Sequence, residues 1–173
     1  MGISRNYLVF FSMPDIYILS GPVRSGKTTW LKQWNTDRAN VCGLLAPVIN
    51  GKRYIKNIRS GEMRLLEAEH AETGRPLIYI GKFSFFEDTF EWGRHILYEC
   101  LPANNVWIVI DEIGPLELQG KGLEPAVSYV LGNAGSRARV ILVIRHKLLD
   151  AVLQHYGFNK ENISFFNFEE KTE

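Results

Sequence analysis

The chain has 173 residues, of which 46% are hydrophobic and 23% charged, with a formal net charge of +1. That length supports one good core and is short for two, and the balanced charge gives no global field to draw in nucleic acid or an acidic membrane. The two cysteines, Cys42 and Cys100, fit no metal or redox spacing and read as buried, reduced thiols of a cytoplasmic protein.

In chain order, the apolar run over 7–11 is cut off by Pro14 and Asp15 and is too short to span a bilayer. It lacks a signal-peptide pattern, and Asn6 stands where myristoylation wants Ser or Thr. Residues 1–12 are therefore expected as a flexible extension. A buried strand is predicted over 16–19, then a Gly-rich loop and a helix over 27–35. Trp30 and Trp34 lie one turn apart on that helix, and core packing explains them better than base stacking. Strand-like runs at 41–49 and 52–58 flank Asn50-Gly51, the dipeptide of a tight hairpin, and Ser60-Gly61 turns the chain again into 62–66. A small antiparallel meander inserted over about 41–67 is the expectation. Thr73-Gly74 marks its exit, and 77–80 reads as another strand.

From Phe86 the period becomes helical. Phe86, Phe90, Gly93, Leu97 and Leu101 share one face, and Pro102 stops the helix. The continuous apolar run 106–110 predicts a strand buried on both faces, and 140–144 another. Helices are predicted over 123–131 and over 147–156, the second ended by Gly157. A last strand is predicted over 163–168 and a flexible tail over 169–173. Alternating strand and helix argues for one α/β domain over 13–168, with a mostly parallel sheet between helical layers.

The string Gly21-Pro22-Val23-Arg24-Ser25-Gly26-Lys27-Thr28 fits the phosphate-loop pattern G-x-x-x-x-G-K-S/T. Its glycines let the backbone curl so that N–H groups face the phosphates, and the following helix adds the positive end of its dipole. Lys27 can reach the β- and γ-phosphates, and Thr28 offers a hydroxyl to magnesium. Thr29 completes the binding stretch. Arg24 either touches phosphate or is a solvated loop residue. Such a loop needs a second strand that brings a carboxylate to the metal. Val106-Trp107-Ile108-Val109-Ile110-Asp111-Glu112 supplies it, at the carboxyl end where open α/β sheets bind ligands. Asp111 is the expected magnesium ligand, and Glu112 the group that positions or deprotonates the attacking water. Gly114 either approaches the γ-phosphate closely or simply makes a turn.

The phosphate loop, taken with Asp111-Glu112-Ile113-Gly114-Pro115-Leu116-Glu117-Leu118, resembles the small P-loop nucleoside-triphosphatases, the family of the thermophilic and cancer-related enzymes. The resemblance runs over 16–157. It takes in the glycine-rich hairpins (Gly43 to Pro47, Gly51, Ser60-Gly61-Glu62) and Gly81-Lys82-Phe83 leading into the next helix. It implies a RecA-like three-layer sandwich that hydrolyses nucleoside triphosphates slowly to diphosphates with little choice of base. It also implies that Glu117 is more than a surface carboxylate, although from its residues alone Glu117 reads as a solvated loop residue. Where the family presents a Thr-Val-His-Arg-like stretch, this chain has Val143-Ile144-Arg145-His146-Lys147. Arg145 is a candidate to stabilise charge on the γ-phosphate. His146 reads as a phosphate sensor or as a helix-start residue.

The expected cofactor is Mg2+ and the expected partner a triphosphate such as ATP or GTP, with no specific nucleic acid and no membrane. Two rivals use the same loop. A small-molecule kinase would pass the phosphoryl group to a hydroxyl, with Arg137, Arg139 and Arg145 available for a lid and the meander for a pocket wall. A nucleotide-loaded switch would present Phe83, Phe85, Phe86 and Trp92 to a partner, although core packing explains those aromatics equally well. The Asn-Lys-x-Asp guanine motif is missing from the sequence.

Overall fold

A computed structural model describes residues 13–69, 74–101 and 105–166. The extension expected over 1–12, Thr73 of the exit turn, Pro102, the end of the last expected strand and the tail over 169–173 lie outside the described residues.

The elements in order are β1 (Asp15–Gly21), α1 (Lys27–Asn35), β2 (Val41–Leu45), β3 (Val48–Ile49), β4 (Lys52–Asn57) and β5 (Met63–Leu65). Then come β6 (Leu77–Ile80), β7 (Phe83–Phe86), α2 (Glu87–Glu99) and β8 (Trp107–Ile113). The chain continues with α3 (Ala126–Asn133), β9 (Arg139–Arg145), α4 (Leu149–His155) and β10 (Ile163–Phe165). One mixed sheet runs β10-β1-β9-β8-β2-β4-β3, with β5 paired to β4. The strands from β10 to β2 are mutually parallel, and β3, β4 and β5 extend the sheet antiparallel. This is the mostly parallel α/β sandwich with an antiparallel meander that the sequence predicts.

Period-two alternation on the central strands separates two cores. Ile108 and Ile110 of β8, with Val140, Leu142 and Ile144 of β9, face the larger core formed with α2, α3 and α4. Val109, Ile141 and Val143 face the smaller core formed with Leu31 of α1. Tyr17, Trp30, Trp34, Trp107 and Phe166 close that thinner side. Trp30 and Trp34 are thus packing groups, as expected. Trp34 meets Trp107 edge-on with centroids 5.1 Å apart.

Four differences from the sequence reading stand out. The run 41–49 breaks at Ala46-Pro47, and its first half is a buried strand parallel to β8 rather than part of the meander. Gly43 permits that pairing, since a Cβ there would sit 2.1 Å from the Val109 carbonyl oxygen. Residues 83–86 form a strand, hairpinned to β6 across Gly81-Lys82, so α2 begins at Glu87. Phe85 and Phe86 are buried, and Phe83 and Trp92 pack against the larger core, so these aromatics form no exposed partner surface. Finally, Cys42 and Cys100 are joined rather than separate thiols: β2 and the end of α2 pack with the two Cα atoms 6.0 Å apart. At the β3–β4 hairpin, by contrast, Asn50 and Gly51 both take positive φ, as the tight turn requires.

Candidate active site

The carboxyl ends of β1, β2, β8 and β9 converge at one edge. The phosphate loop leaves β1 there and enters α1 at Lys27. Gly26 has φ 89°, a left-handed turn that lets its carbonyl accept the first helical bond from Trp30 N–H at 2.8 Å. Lys27 is only 6% exposed and donates its Nζ to the carbonyls of Gly21 (3.0 Å) and Pro22 (2.6 Å) and to Ser25 Oγ (3.4 Å). The ammonium therefore lies inside the curl of the loop, satisfied by the loop's own oxygens. Pro22, Val23, Arg24 and Thr29 are exposed, and Ser25 is half-buried with its hydroxyl on Pro22 O at 2.9 Å. Arg24, at φ 66°, is the loop's solvent-facing corner.

The loop meets the acidic strand directly. Thr28 Oγ1 donates to Asp111 Oδ2 at 2.8 Å, and the same oxygen accepts Ala46 N–H at 3.0 Å. The break in the 41–49 run thus has a use: β2 stops where Ala46 turns its N–H to Asp111 instead of a ladder partner. Asp111 is 3% exposed. Burial pushes its carboxyl up to about 6, against the bonds from Ala46 and Thr28 and the Lys27 charge, while the neighbouring Glu112 adds to the rise. A hydroxyl and a carboxylate 2.8 Å apart on two chain segments are hard oxygens of the kind magnesium takes. Among the described residues no group of three or more His, Cys, Asp or Glu is placed to hold a metal, so substrate phosphates and water would have to complete the set.

A register shift on β8 between Asp111 and Ile113 separates the two carboxylates' partners. Glu112 accepts Arg145 Nε at 2.8 Å, with a second, shorter contact from Nη2 to the same oxygen. Arg145, at the end of β9, is paired across from Gly21. It therefore stands at the site edge with its guanidinium on Glu112. His146 is exposed beside it. Arg139 opens β9, with Asp15 as its partner on β1, and its guanidinium lies 5.2 Å from the Trp107 ring. Seven residues of strand put it roughly 20 Å from Arg145. Arg139, and Arg137 two residues earlier, thus belong to the opposite edge and cannot serve a lid over the loop.

Sequence reasoning understated one residue. Glu117, 3% exposed in a 3-10 turn, accepts Gly114 N–H at 2.8 Å and Leu123 N–H at 2.9 Å. It ties the loop after β8 to the approach to α3. Burial pushes its carboxyl up to about 7, against those two bonds. The available signal was a glutamate set between Leu116 and Leu118 and bracketed by Gly114, Gly120 and Gly122, a composition that folds a loop around the carboxylate. A second buried carboxylate went unread: Glu124 accepts Tyr156 Oη at 2.5 Å and Ser128 Oγ at 3.2 Å. Burial, with Glu124 alongside, pushes the Tyr156 hydroxyl well above its usual range.

A family model described as NTPase matches residues 16–172. Nucleoside-triphosphatase THEP1 of Methanopyrus kandleri is 30% identical over 124 residues, which is 66% of this chain and 66% of that protein, just under two thirds of its length. The crystal structure of THEP1 from Aquifex aeolicus has the same fold, with a TM-score of 0.67 at 18% identity over 87% of this chain and 88% of that one. Among the described residues no helix is long and apolar enough to cross a membrane.

Proposed function

Since this chain belongs to the NTPase family, we propose that it hydrolyses nucleoside triphosphates to diphosphate and phosphate with magnesium, in the cytoplasm where both are abundant. The observation that carries the reading is the Thr28–Asp111 bond. It joins the phosphate loop to the acidic strand at the edge where Glu112 and Arg145 also stand.

In this reading the triphosphate displaces the Gly21 and Pro22 carbonyls as partners of Lys27, and its oxygens take backbone N–H groups of the loop from Val23 onward. Thr28 and Asp111 would hold Mg2+, which supplies Lewis-acid stabilisation of phosphoryl charge when bound. Glu112 holds a water and accepts its proton as the water oxygen bonds to the γ-phosphorus. The bond to the β–γ bridging oxygen breaks, and that oxygen leaves on the diphosphate. Arg145 fixes the Glu112 carboxylate and brings a positive charge to the side where negative charge builds. We further propose loose choice of base, in keeping with a sequence that lacks the guanine motif.

The test is phosphate release from ATP, GTP, CTP and UTP, each with magnesium and with magnesium chelated. Release from several of them, lost on chelation, is expected. No release from any of the four in magnesium would overturn the reading.

A further inference from the structure

Hydrolysis needs room for one water at the attacking side, about 30 Å³. Beside Glu112 there is far more. A cavity of about 410 Å³ reaches Ala46, Asp111, Glu112 and Arg145 at one end, yet no residue of 21–29 lines it. Its other walls are mostly apolar and come largely from the antiparallel strands and α2, including Ile55, Leu66, Phe83, Phe85 and Phe90, with Arg53 and Lys82 among them. The Phe83 and Phe85 rings stack 25° from parallel with centroids 6.3 Å apart. The Arg53 guanidinium lies over both, 4.9 Å from the first ring and 5.8 Å from the second. Apolar space of this size with a few polar groups at one end is the form of a small-molecule site.

We propose that this cavity binds an aromatic alcohol as a second phosphoryl acceptor, with its ring among Phe83, Phe85 and Phe90 and its hydroxyl on Glu112. The flat walls and the guanidinium face favour a planar ring. The polar end selects the hydroxyl. Asp111, Glu112 and Glu117 line it together with Arg53, Lys82 and Arg145, and Glu112 is already paired to Arg145, so a neutral hydroxyl with a proton to give to Glu112 fits there without adding a charge. In the transfer the alcohol oxygen forms the new bond to the γ-phosphorus. The bond to the β–γ bridging oxygen breaks, that oxygen leaves on the diphosphate, and the hydroxyl proton passes to Glu112. Water takes the same position when the cavity holds no alcohol. The inference rests on the phosphate-loop reading and adds a substrate to it.

The test uses the whole chain with ATP, magnesium and 2-naphthylmethanol, followed by phosphorus NMR. The expected product is naphthylmethyl phosphate in amounts matching the extra ADP, with ADP formation raised about threefold or more, as an oriented acceptor outcompetes water. Ile80→Trp fills the cavity from β6 and should abolish the ester while leaving phosphate release and ADP affinity within about twofold. Phe83→Ala, which removes a stacking wall without adding bulk, should raise the KM for the alcohol about tenfold and leave hydrolysis unchanged. Hydrolysis without any ester at the solubility limit of the alcohol would overturn the acceptor site and leave the triphosphatase reading standing. An Ile80→Trp protein with ADP binding weakened about tenfold or more would overturn it too, by making the cavity the seat of the nucleotide's own base.

Discussion

Lys27 and Glu117 are both ionisable, both buried and both at the same edge of the sheet, yet their partners differ in kind. Lys27 leans on the carbonyls of its own loop, and phosphate oxygens can take over each of those bonds. Glu117 holds the N–H groups of Gly114 and Leu123, which no substrate would relieve. In the proposed reading the first arrangement is a binding site at rest, and the second is a brace that shapes the segment proposed to carry the chemistry. Burial of a charge thus marks function only when its partners are exchangeable.

Substitutions should separate the two. Lys27→Ala is expected to cost the most, lowering nucleotide affinity about 10³-fold or more, some 4 kcal/mol, while unfolding stays cooperative. Calorimetric titration with a non-hydrolysable triphosphate checks it, and retained affinity would erase the contrast. At Glu117 the readout is stability against pH. Its folded carboxyl sits near 7, above the ordinary 4.5, so the folded chain binds more protons than the unfolded one between those values. Glu117's contribution to stability is then fully present below about 4.5 and is lost as pH rises through 7, by up to roughly 3 kcal/mol. Urea unfolding from pH 4.5 to 7.5 should show this decline in the wild type and a shallower one in Glu117→Gln; parallel slopes would remove Glu117 from the account. Gly122→Ala should act through the same brace without touching titration. A Cβ there lies 2.3 Å from Glu117 Oε1, at a backbone φ of +65°. A loss of about 2 kcal/mol in stability is expected with nucleotide affinity unchanged, and a fully stable variant would show the brace to be slack.

What was legible in the sequence follows the reach of each interaction. The phosphate loop is a contiguous string whose glycines, lysine and threonine act within one turn of chain, and β1, the loop and α1 stand where the sequence places them. Asp111 and Glu112 were legible as the end of an apolar run. Their partners were not, because Ala46 lies 65 residues from Asp111 and Arg145 33 from Glu112. The end of β7 was read into the helix because Phe86 fits the helical period of Phe90 and Gly93, and residues 83–85 were given no strand, although Gly81-Lys82 between two apolar runs is a two-residue hairpin signal. Arg137 and Arg139 were grouped with Arg145 by proximity in sequence, and the length of β9 separates them in space. The meander was legible as a pocket wall, and β4 supplies one, but β7, α2 and the loop after β8, which close the cavity beside Glu112, were beyond reach.

In the proposed reading, binding belongs to the phosphate loop and turnover to Glu112. The most direct measurement sets the triphosphate dissociation constant of Glu112→Gln beside its single-turnover hydrolysis rate, both in magnesium. The expected result is affinity within about threefold of wild type and a rate lower by roughly 10²- to 10³-fold. An unchanged rate, or affinity lost together with the rate, would contradict that division.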